Sequence, residues 1–255
     1  MTLRPLSFGW LTRRRSASTG ASSAMATSIP REVLLFGLSA NPPTGRTGHM
    51  GVVAHCRPLF DEVWLLPVYQ HIYSSKRQLA PFHHRVEMCR LAIAALEESD
   101  GAQVKVVEEE REMFEHLAAA SDRPHELRLG SIDLVLFLLE KHPNTNFTMV
   151  LGGDTYADLL AGKWKRGEEL MRLVKLLVVD RKGVDSPWRQ TEEQVAASAT
   201  RVRYVHAPEL SEVSSTMMRA SPDRELLARY LDAEVVGYIV EHQLYAFASE
   251  QDKEQ

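Results

Sequence analysis

With 255 residues and 44% apolar side chains, the chain can bury a core of its own, which excludes a solvated random polymer and fits one large α/β unit. No apolar run reaches the ~20 residues that a membrane-spanning helix needs, so no membrane partner and a protein in solution are expected. A net charge of −4 argues against a broad nucleic-acid surface, which requires clustered Lys and Arg to displace counterions.

The chain opens on an extension. Residues 1–31 carry Arg4, Arg13, Arg14, Arg15 and Arg31 and no acid, leaving 25 basic against 34 acidic side chains beyond them. An Arg- and Ser-rich, acid-poor start without a continuous apolar stretch has the composition of an organellar transit peptide rather than a secretory signal. Three regions are therefore expected: a disordered extension over 1–30, a folded domain over 31–247 and a polar tail over 248–255. A mitochondrial or plastid location follows if the extension is an address, and a cytoplasmic one if it is not or if Met25 is the true start.

Strand-like apolar runs follow at 33–37, 62–68, 104–107, 147–151, 173–179 and 201–205. Helix-period segments lie between them at 49–57, ended by Pro58, and at 82–97, 131–141, 154–160 and 167–172. Residues 214–229 and 233–242 read as helices at the C-terminal end. This alternation is the mark of parallel βαβ units and predicts an α/β fold: a doubly wound, Rossmann-like parallel sheet with C-terminal helices. The acidic run 108–112 reads as a solvated strand end and loop. Cys56 and Cys89, far apart in sequence, form neither a disulfide framework nor a metal motif. His83 and His84 near Cys89 read as surface or helix-start residues, so no metal site is expected.

The chemistry concentrates after strands, where open α/β sheets bind ligands. In LLFGLSANPPTGRTGHMGVV (34–53) a buried strand gives way to a Gly/Pro/Asn loop that delivers His49 to a helix start. The first N–H groups of a helix lack intrahelical partners and the dipole adds positive charge, so such a start attracts anions. VSSTMMR (213–219) is a second candidate: Ser214, Ser215 and Thr216 supply hydroxyls suited to capping or to phosphate contact. Arg219 follows one turn on, where a cation opposes the dipole and gains little without an anion. Two such starts point to a nucleoside triphosphate. Gly37, Ser39, Asn41, Thr44 and Gly48 follow the first strand with His49. His71, Tyr73 and Lys76 follow the second, and Gly152, Gly153 and Asp154 the fourth. No P-loop, dinucleotide fingerprint or nucleophile elbow is present, which removes support for a P-loop kinase, a Rossmann dehydrogenase or an α/β hydrolase.

NPPT followed by GH after a strand, with SSTMMR near the end, resembles the nucleotidylyltransferase superfamily and, within it, the nicotinate/nicotinamide mononucleotide adenylyltransferases. YQHIYSSKRQLAPFHHRVEMCRLAI is similar to the family's substrate loop and Arg-bearing helix. GSIDLVLFLLEKHP resembles the helix after its variable acidic segment, and LGGDTYADLLAGKWKRGEELM its Gly-Asp strand end and the Trp facing the pyridine base. The likeness spans residues 33–245. It departs from the bacterial HxGH pattern in carrying Thr44 at the first histidine, as animal-type members do, and two extra residues before Gly48 and His49. Arg46 lies in that insertion, with phosphate and solvent both open to it.

As the resemblance implies, the phosphate of nicotinate or nicotinamide mononucleotide attacks the α-phosphorus of ATP in line and pyrophosphate leaves. Catalysis is then positioning and electrostatics, with no enzyme nucleophile. The resemblance assigns catalysis to His49, Thr44 and Arg219. It assigns ATP to Gly37, Ser39, Asn41, Gly48, His49, Gly152, Asp154, Ser214, Ser215, Thr216 and Arg219, and the mononucleotide to Lys76, Arg85 and Trp164. Lys163, Lys165 and Arg166 around Trp164 suit a carboxylate-bearing base and favour the nicotinate form. Mg²⁺ is expected with ATP, held by phosphate oxygens and water. ATP and a pyridine mononucleotide are the expected partners, with self-association left open. The alternatives are a nucleotidylyltransferase using another phosphate acceptor, such as pantetheine phosphate, and a non-catalytic nucleotide-binding derivative.

Overall fold

The computed structural model describes residues 29–70, 79–96, 101–181, 201–207, 210 and 215–248. The expectations for the extension over 1–28, for His71, Tyr73 and Lys76, for Ser214 and for the tail over 249–255 lie outside them.

Six strands form one parallel sheet: β1 (Arg31–Leu38), β2 (Glu62–Pro67), β3 (Gln103–Val106), β4 (Thr145–Gly152), β5 (Lys175–Arg181) and β6 (Val202–Ala207). Their spatial order is β3-β2-β1-β4-β5-β6, and each adjacent pair is parallel. The winding therefore reverses between β1 and β4, the doubly wound arrangement expected from the alternation of elements. β1 is buried from both sides. Val33 and Leu35 pack into one apolar layer with Trp64, Ile132 and Tyr156. Leu34 and Leu38 pack into the other with Met50, Val53 and Ile239. Period-two alternation through a two-faced core explains the near-continuous apolar reading of such a strand.

The helices are α1 (His49–Cys56), α2 (Phe82–Ala94), α3 (Glu109–Ala119), α4 (Ser131–Lys141), α5 (Gly153–Leu160), α6 (Gly167–Leu173), α7 (Ser215–Ala220), α8 (Arg224–Tyr230) and α9 (Ala233–Glu241). Pro58 ends α1 in a 3₁₀ turn over Arg57–Leu59, as its missing N–H requires. α4 starts where the Gly130 N–H donates to the Asp133 carboxylate at 2.7 Å. Among the described residues no helix is long and apolar enough to cross a membrane.

Two sequence expectations are corrected. The acidic run is not a loop: Glu109, Glu110 and Glu112 occupy the first turn of α3, where carboxylates are stabilised by the helix dipole, and Met113 is buried one turn on. The single helix read over 214–229 is two. Asp223 caps α8 by accepting from the N–H groups of Glu225 and Leu226 at 2.9 and 3.2 Å, and the adjoining Pro222 cannot continue a helical hydrogen-bond ladder.

Candidate active site

A cleft of about 900 Å³ opens at the carboxyl ends of the central strands. Gly37, Ser39, Thr44, Gly48 and His49 line it from the first crossover, and Gly152, Asp154 and Trp164 from the segments after β4. At Gly37 a side-chain carbon would meet nothing within 4 Å, so the end of β1 is bare toward the cleft.

The loop before α1 is built around Thr44, which is 1% exposed. Its N–H donates to Nδ1 of His49 at 3.0 Å, and its hydroxyl lies 2.8 Å from the same nitrogen. That hydroxyl oxygen also accepts the His49 N–H at 2.9 Å. An N–H aimed at Nδ1 makes that nitrogen an acceptor, so the neutral imidazole carries its proton on Nε2 and the ring is a donor there. Gly48 permits this closure, because a Cβ in its place would overlap the Thr44 hydroxyl. Phe36 flanks the ring at 5.9 Å between centroids.

The expected source of anion affinity is corrected in one respect. The backbone donors at the start of α1 are used by the loop itself: His49 on the Thr44 hydroxyl, Met50 on Thr44 O, and Gly48 and Gly51 on Gly45 O. The loop folds back on itself through these bonds. Gly45 and Arg46 lie within it, and the Gly45 N–H donates to Tyr230 O at 2.7 Å. Arg46 is exposed and stands beside Asp232, whose carboxyl is pushed up by burial and pulled back by that cation. What α1 turns toward an anion is therefore the imidazole and the residual dipole rather than a row of N–H groups.

The second phosphate candidate docks on the same loop. Arg219 donates to Asn41 O at 2.8 Å and to the Thr216 hydroxyl at 3.0 Å, and the Ser215 hydroxyl donates to Pro42 O at 3.0 Å. α7 and His49 are thus joined through residues 41–44. The guanidinium fork carries more donors than these two bonds use.

Two expected ligand contacts have other partners here. Asn41 is 2% exposed, and its side-chain oxygen accepts the Ala80 N–H at 3.0 Å. Arg85 is also 2% exposed. It donates to Ala80 O at 2.8 Å, Ser39 O at 3.0 Å and Val68 O at 2.6 Å, stacking over Phe82. Both side chains brace the loops behind the cleft, because buried polar groups that close on backbone partners are no longer presented to a ligand. The cations around Trp164 are likewise engaged: Lys163 with Asp158 at 2.7 Å, Lys165 with Asp133 at 2.9 Å and Arg166 with Glu169 at 2.6 Å. Lys163 and Lys165 nevertheless border the cleft, and a lysine ammonium has three donors, more than one ion pair uses. Trp164 is half-buried against the core and borders the cleft.

Sequence reasoning missed the wall made by Tyr69, Glu110 and Phe114. The Tyr69 N–H donates to Glu110 Oε2 at 2.9 Å, and Tyr69 packs on Phe82 and Phe114. Burial pushes the Glu110 carboxyl up to about 7, against the pull of the Tyr69 N–H and of Arg85. The signal in the sequence was the four-residue spacing of Glu109, Met113 and Leu117, which marks a helix face rather than a loop.

Residues 36–221 match the cytidylyltransferase-like family. A Myxococcus xanthus protein named "Probable nicotinate-nucleotide adenylyltransferase" is 30% identical over 222 residues, covering 84% of this chain and 94% of its own length. An Anaeromyxobacter dehalogenans protein of the same name is 32% identical over 225 residues, covering 84% and 97%. Among solved structures, Plasmodium falciparum nicotinic acid mononucleotide adenylyltransferase complexed with NaAD superposes with a TM-score of 0.65 at 22% identity, covering 85% of this chain and 98% of that one. The same enzyme complexed with APC gives 0.64 at 21%, with the same coverage. At those identities the superpositions speak for the fold.

Proposed function

We infer what the cleft does from one premise: the chain belongs to the cytidylyltransferase-like family and, within it, to the nicotinate-nucleotide adenylyltransferases. It is an adenylyltransferase that joins ATP and a pyridine mononucleotide into a dinucleotide and releases pyrophosphate. Nicotinate mononucleotide is the preferred acceptor, the one for which the relatives are named. A phosphate oxygen of the mononucleotide forms a bond to the α-phosphorus of ATP. The bond from that phosphorus to the oxygen bridging to the β-phosphate breaks, and the electron pair leaves with pyrophosphate.

The observation that carries this reading is the Thr44–His49 pair at the mouth of the cleft. With Nδ1 held by the Thr44 N–H, the Nε2–H is the donor for an α-phosphate oxygen, where charge builds up as the new bond forms. Because Thr44 and Gly48 hold the ring before substrate arrives, little reorganisation is needed at the moment of reaction. Arg219, bonded to the same loop, supplies positive charge for the leaving pyrophosphate. In this reading Asp154, at the first turn of α5, accepts from a ribose hydroxyl, and Trp164 offers a flat apolar face to a base. Mg²⁺ enters as part of the nucleotide substrate, its ligands being phosphate oxygens and water.

The test is to incubate the purified chain with ATP, Mg²⁺ and each pyridine mononucleotide and to measure dinucleotide and pyrophosphate. Stoichiometric formation of both supports the reading. Nucleotide binding without either product overturns it in favour of a non-catalytic derivative, and turnover confined to another phosphate acceptor overturns the choice of substrate.

A further inference from the structure

Trp164 borders the cleft from the turn between α5 and α6, and that turn is held by more than its own residues. Arg166 stands at φ +51° and ψ +41°, the left-handed region that a residue with a Cβ enters at a cost and keeps only where its surroundings over-determine it. Three ties do so. The Gly167 N–H donates to Trp164 O at 3.2 Å. The Arg166 guanidinium donates to both carboxylate oxygens of Glu169, at 2.7 and 2.6 Å. The third tie leaves the turn: Lys165 donates from Nζ to Asp133 Oδ2 at 2.9 Å and to Arg128 O at 3.1 Å.

The far end of this third tie is itself fixed. Asp133 Oδ2 also accepts the Gly130 N–H at 2.7 Å, closing the first turn of α4. The Lys165 stem runs along that turn, since a side-chain carbon at Gly130 would lie 3.5 Å from Lys165 Cβ and 3.6 Å from Cδ. Lys165 and Asp133 are 32 residues apart in the chain, so the tie fastens the Trp164 turn to a helix whose inner face, with Ile132, Val135 and Leu138, is buried. The neighbouring cations do otherwise: Lys163 pairs with Asp158 and Arg166 with Glu169, partners within the same α5–α6 stretch. With the Lys165 side chain 45% exposed, such a pair contributes little to folding as a whole. Its consequence is local, on the turn that carries the indole.

Resting on the adenylyl-transfer reading, in which Trp164 offers its face to the pyridine base, we propose that Lys165 is a positioning residue: tied across to Asp133, it holds the strained turn and so keeps the adjacent indole in the orientation that receives the base. It acts through Trp164 and touches no substrate atom. Cutting the tie lets the turn leave its left-handed geometry. The fraction of molecules with the ring in place then falls, and the apparent affinity for the mononucleotide falls by that fraction. Transfer at the α-phosphorus belongs to the His49 side of the cleft and proceeds as before once the base is seated. The pyridine ring is common to the acid and the amide, so the loss is the same for both acceptors.

The experiment uses Lys165→Met, which keeps much of the stem, Asp133→Asn, which keeps an acceptor for the Gly130 N–H, their double variant, and Lys165→Arg, which keeps a donor cation. Each of the first two should raise KM for nicotinate and for nicotinamide mononucleotide by one common factor, about three- to tenfold, the range of a lost aromatic contact. The kcat should stay within about twofold, as when binding alone is lost, and Tm within about 4 °C of wild type. The double variant should be no worse than either single one, because both cut the same bond, and Lys165→Arg should recover most of the loss. The second readout is the fluorescence of Trp164, taken as the difference between each protein and its Trp164→Phe counterpart. Nicotinate mononucleotide should quench it in wild type, with the midpoint in Lys165→Met raised by the same factor as KM. Unchanged KM and an unchanged midpoint in Lys165→Met overturn the inference, as do additive losses in the double variant. A loss confined to the acid mononucleotide, or tighter binding of that acceptor by Asp133→Asn, also overturns it, because the ammonium would then meet the substrate carboxylate itself. Turnover in wild type without quenching of Trp164 removes the indole from the base site and overturns the inference while adenylyl transfer stands. Absence of turnover with both acceptors overturns the adenylyl-transfer reading itself, and this inference with it.

Discussion

Arg85→Met separates a brace from a substrate contact. The side chain is 2% exposed and its guanidinium ties three backbone carbonyls, from Ser39, Val68 and Ala80. Methionine keeps much of the stem and none of the donors. Each hydrogen bond to a charged group contributes about 1.5–3 kcal/mol, so the gross loss is roughly 5–9 kcal/mol. Against that stands the several kcal/mol no longer spent on desolvating a buried cation, which leaves a net destabilisation of about 3 kcal/mol. For a domain of this size each kcal/mol shifts Tm by about 2–4 °C, giving an expected drop of about 6–12 °C. Thermal unfolding with and without saturating mononucleotide measures it. A Tm within about 2 °C of wild type, outside the expected drop, together with a large rise in KM for the mononucleotide, would show that the guanidinium serves the substrate and not the loops.

His49→Ala should lower turnover about 10²–10³-fold, the usual cost of losing one oxyanion donor, with little change in KM, and should lower stability by about 1–3 kcal/mol because the buried Thr44 N–H loses its acceptor; an unchanged kcat removes the histidine from the mechanism. Thr44→Val keeps shape but loses the hydroxyl that accepts the His49 N–H, so stability should fall by about 1–2 kcal/mol and turnover by roughly tenfold through a misaimed ring, read by denaturant titration and initial rates. Burial pushes both cysteine thiols up to about 12, so Cys56 and Cys89 should resist a thiol reagent at pH 8 until the protein is unfolded; labelling of either in the native state contradicts their placement. Glu110, raised toward 7, stabilises the fold while protonated, and that contribution is lost as pH rises through about 7. Glu110→Gln should therefore gain stability relative to wild type between pH 6 and 8, a trend absent if the carboxyl were ionised throughout.

The periodic parts of the fold were legible because burial imposes its pattern directly on the residues buried. All six strands fall within a few residues of their expected positions, since Val33 to Leu38 and their counterparts face apolar layers on both sides. α3 was not legible as a helix: its acids drew attention to charge, while its buried face consists of little more than Met113 and Leu117 on a helix that is mostly polar. His49 and Thr44 stood out because a loop leaving a buried strand and entering a helix can point only toward the end of the sheet. The backbone partners of Asn41 and Arg85 were not legible, because sequence names the donor but not the acceptor.

The sequence by itself determined the parallel α/β architecture, the position of the first crossover and the family to which the chain belongs. Only the tertiary structure decided that Arg85 braces three loops, that the start of α1 spends its own N–H groups, and that Glu110 stands in the wall opposite His49. The reason is physical. Hydrophobic periodicity is written locally, every two or 3.6 residues, whereas the partner of a polar group is set by whichever distant segment packs against it, and for Arg85 those segments come from three different stretches of chain.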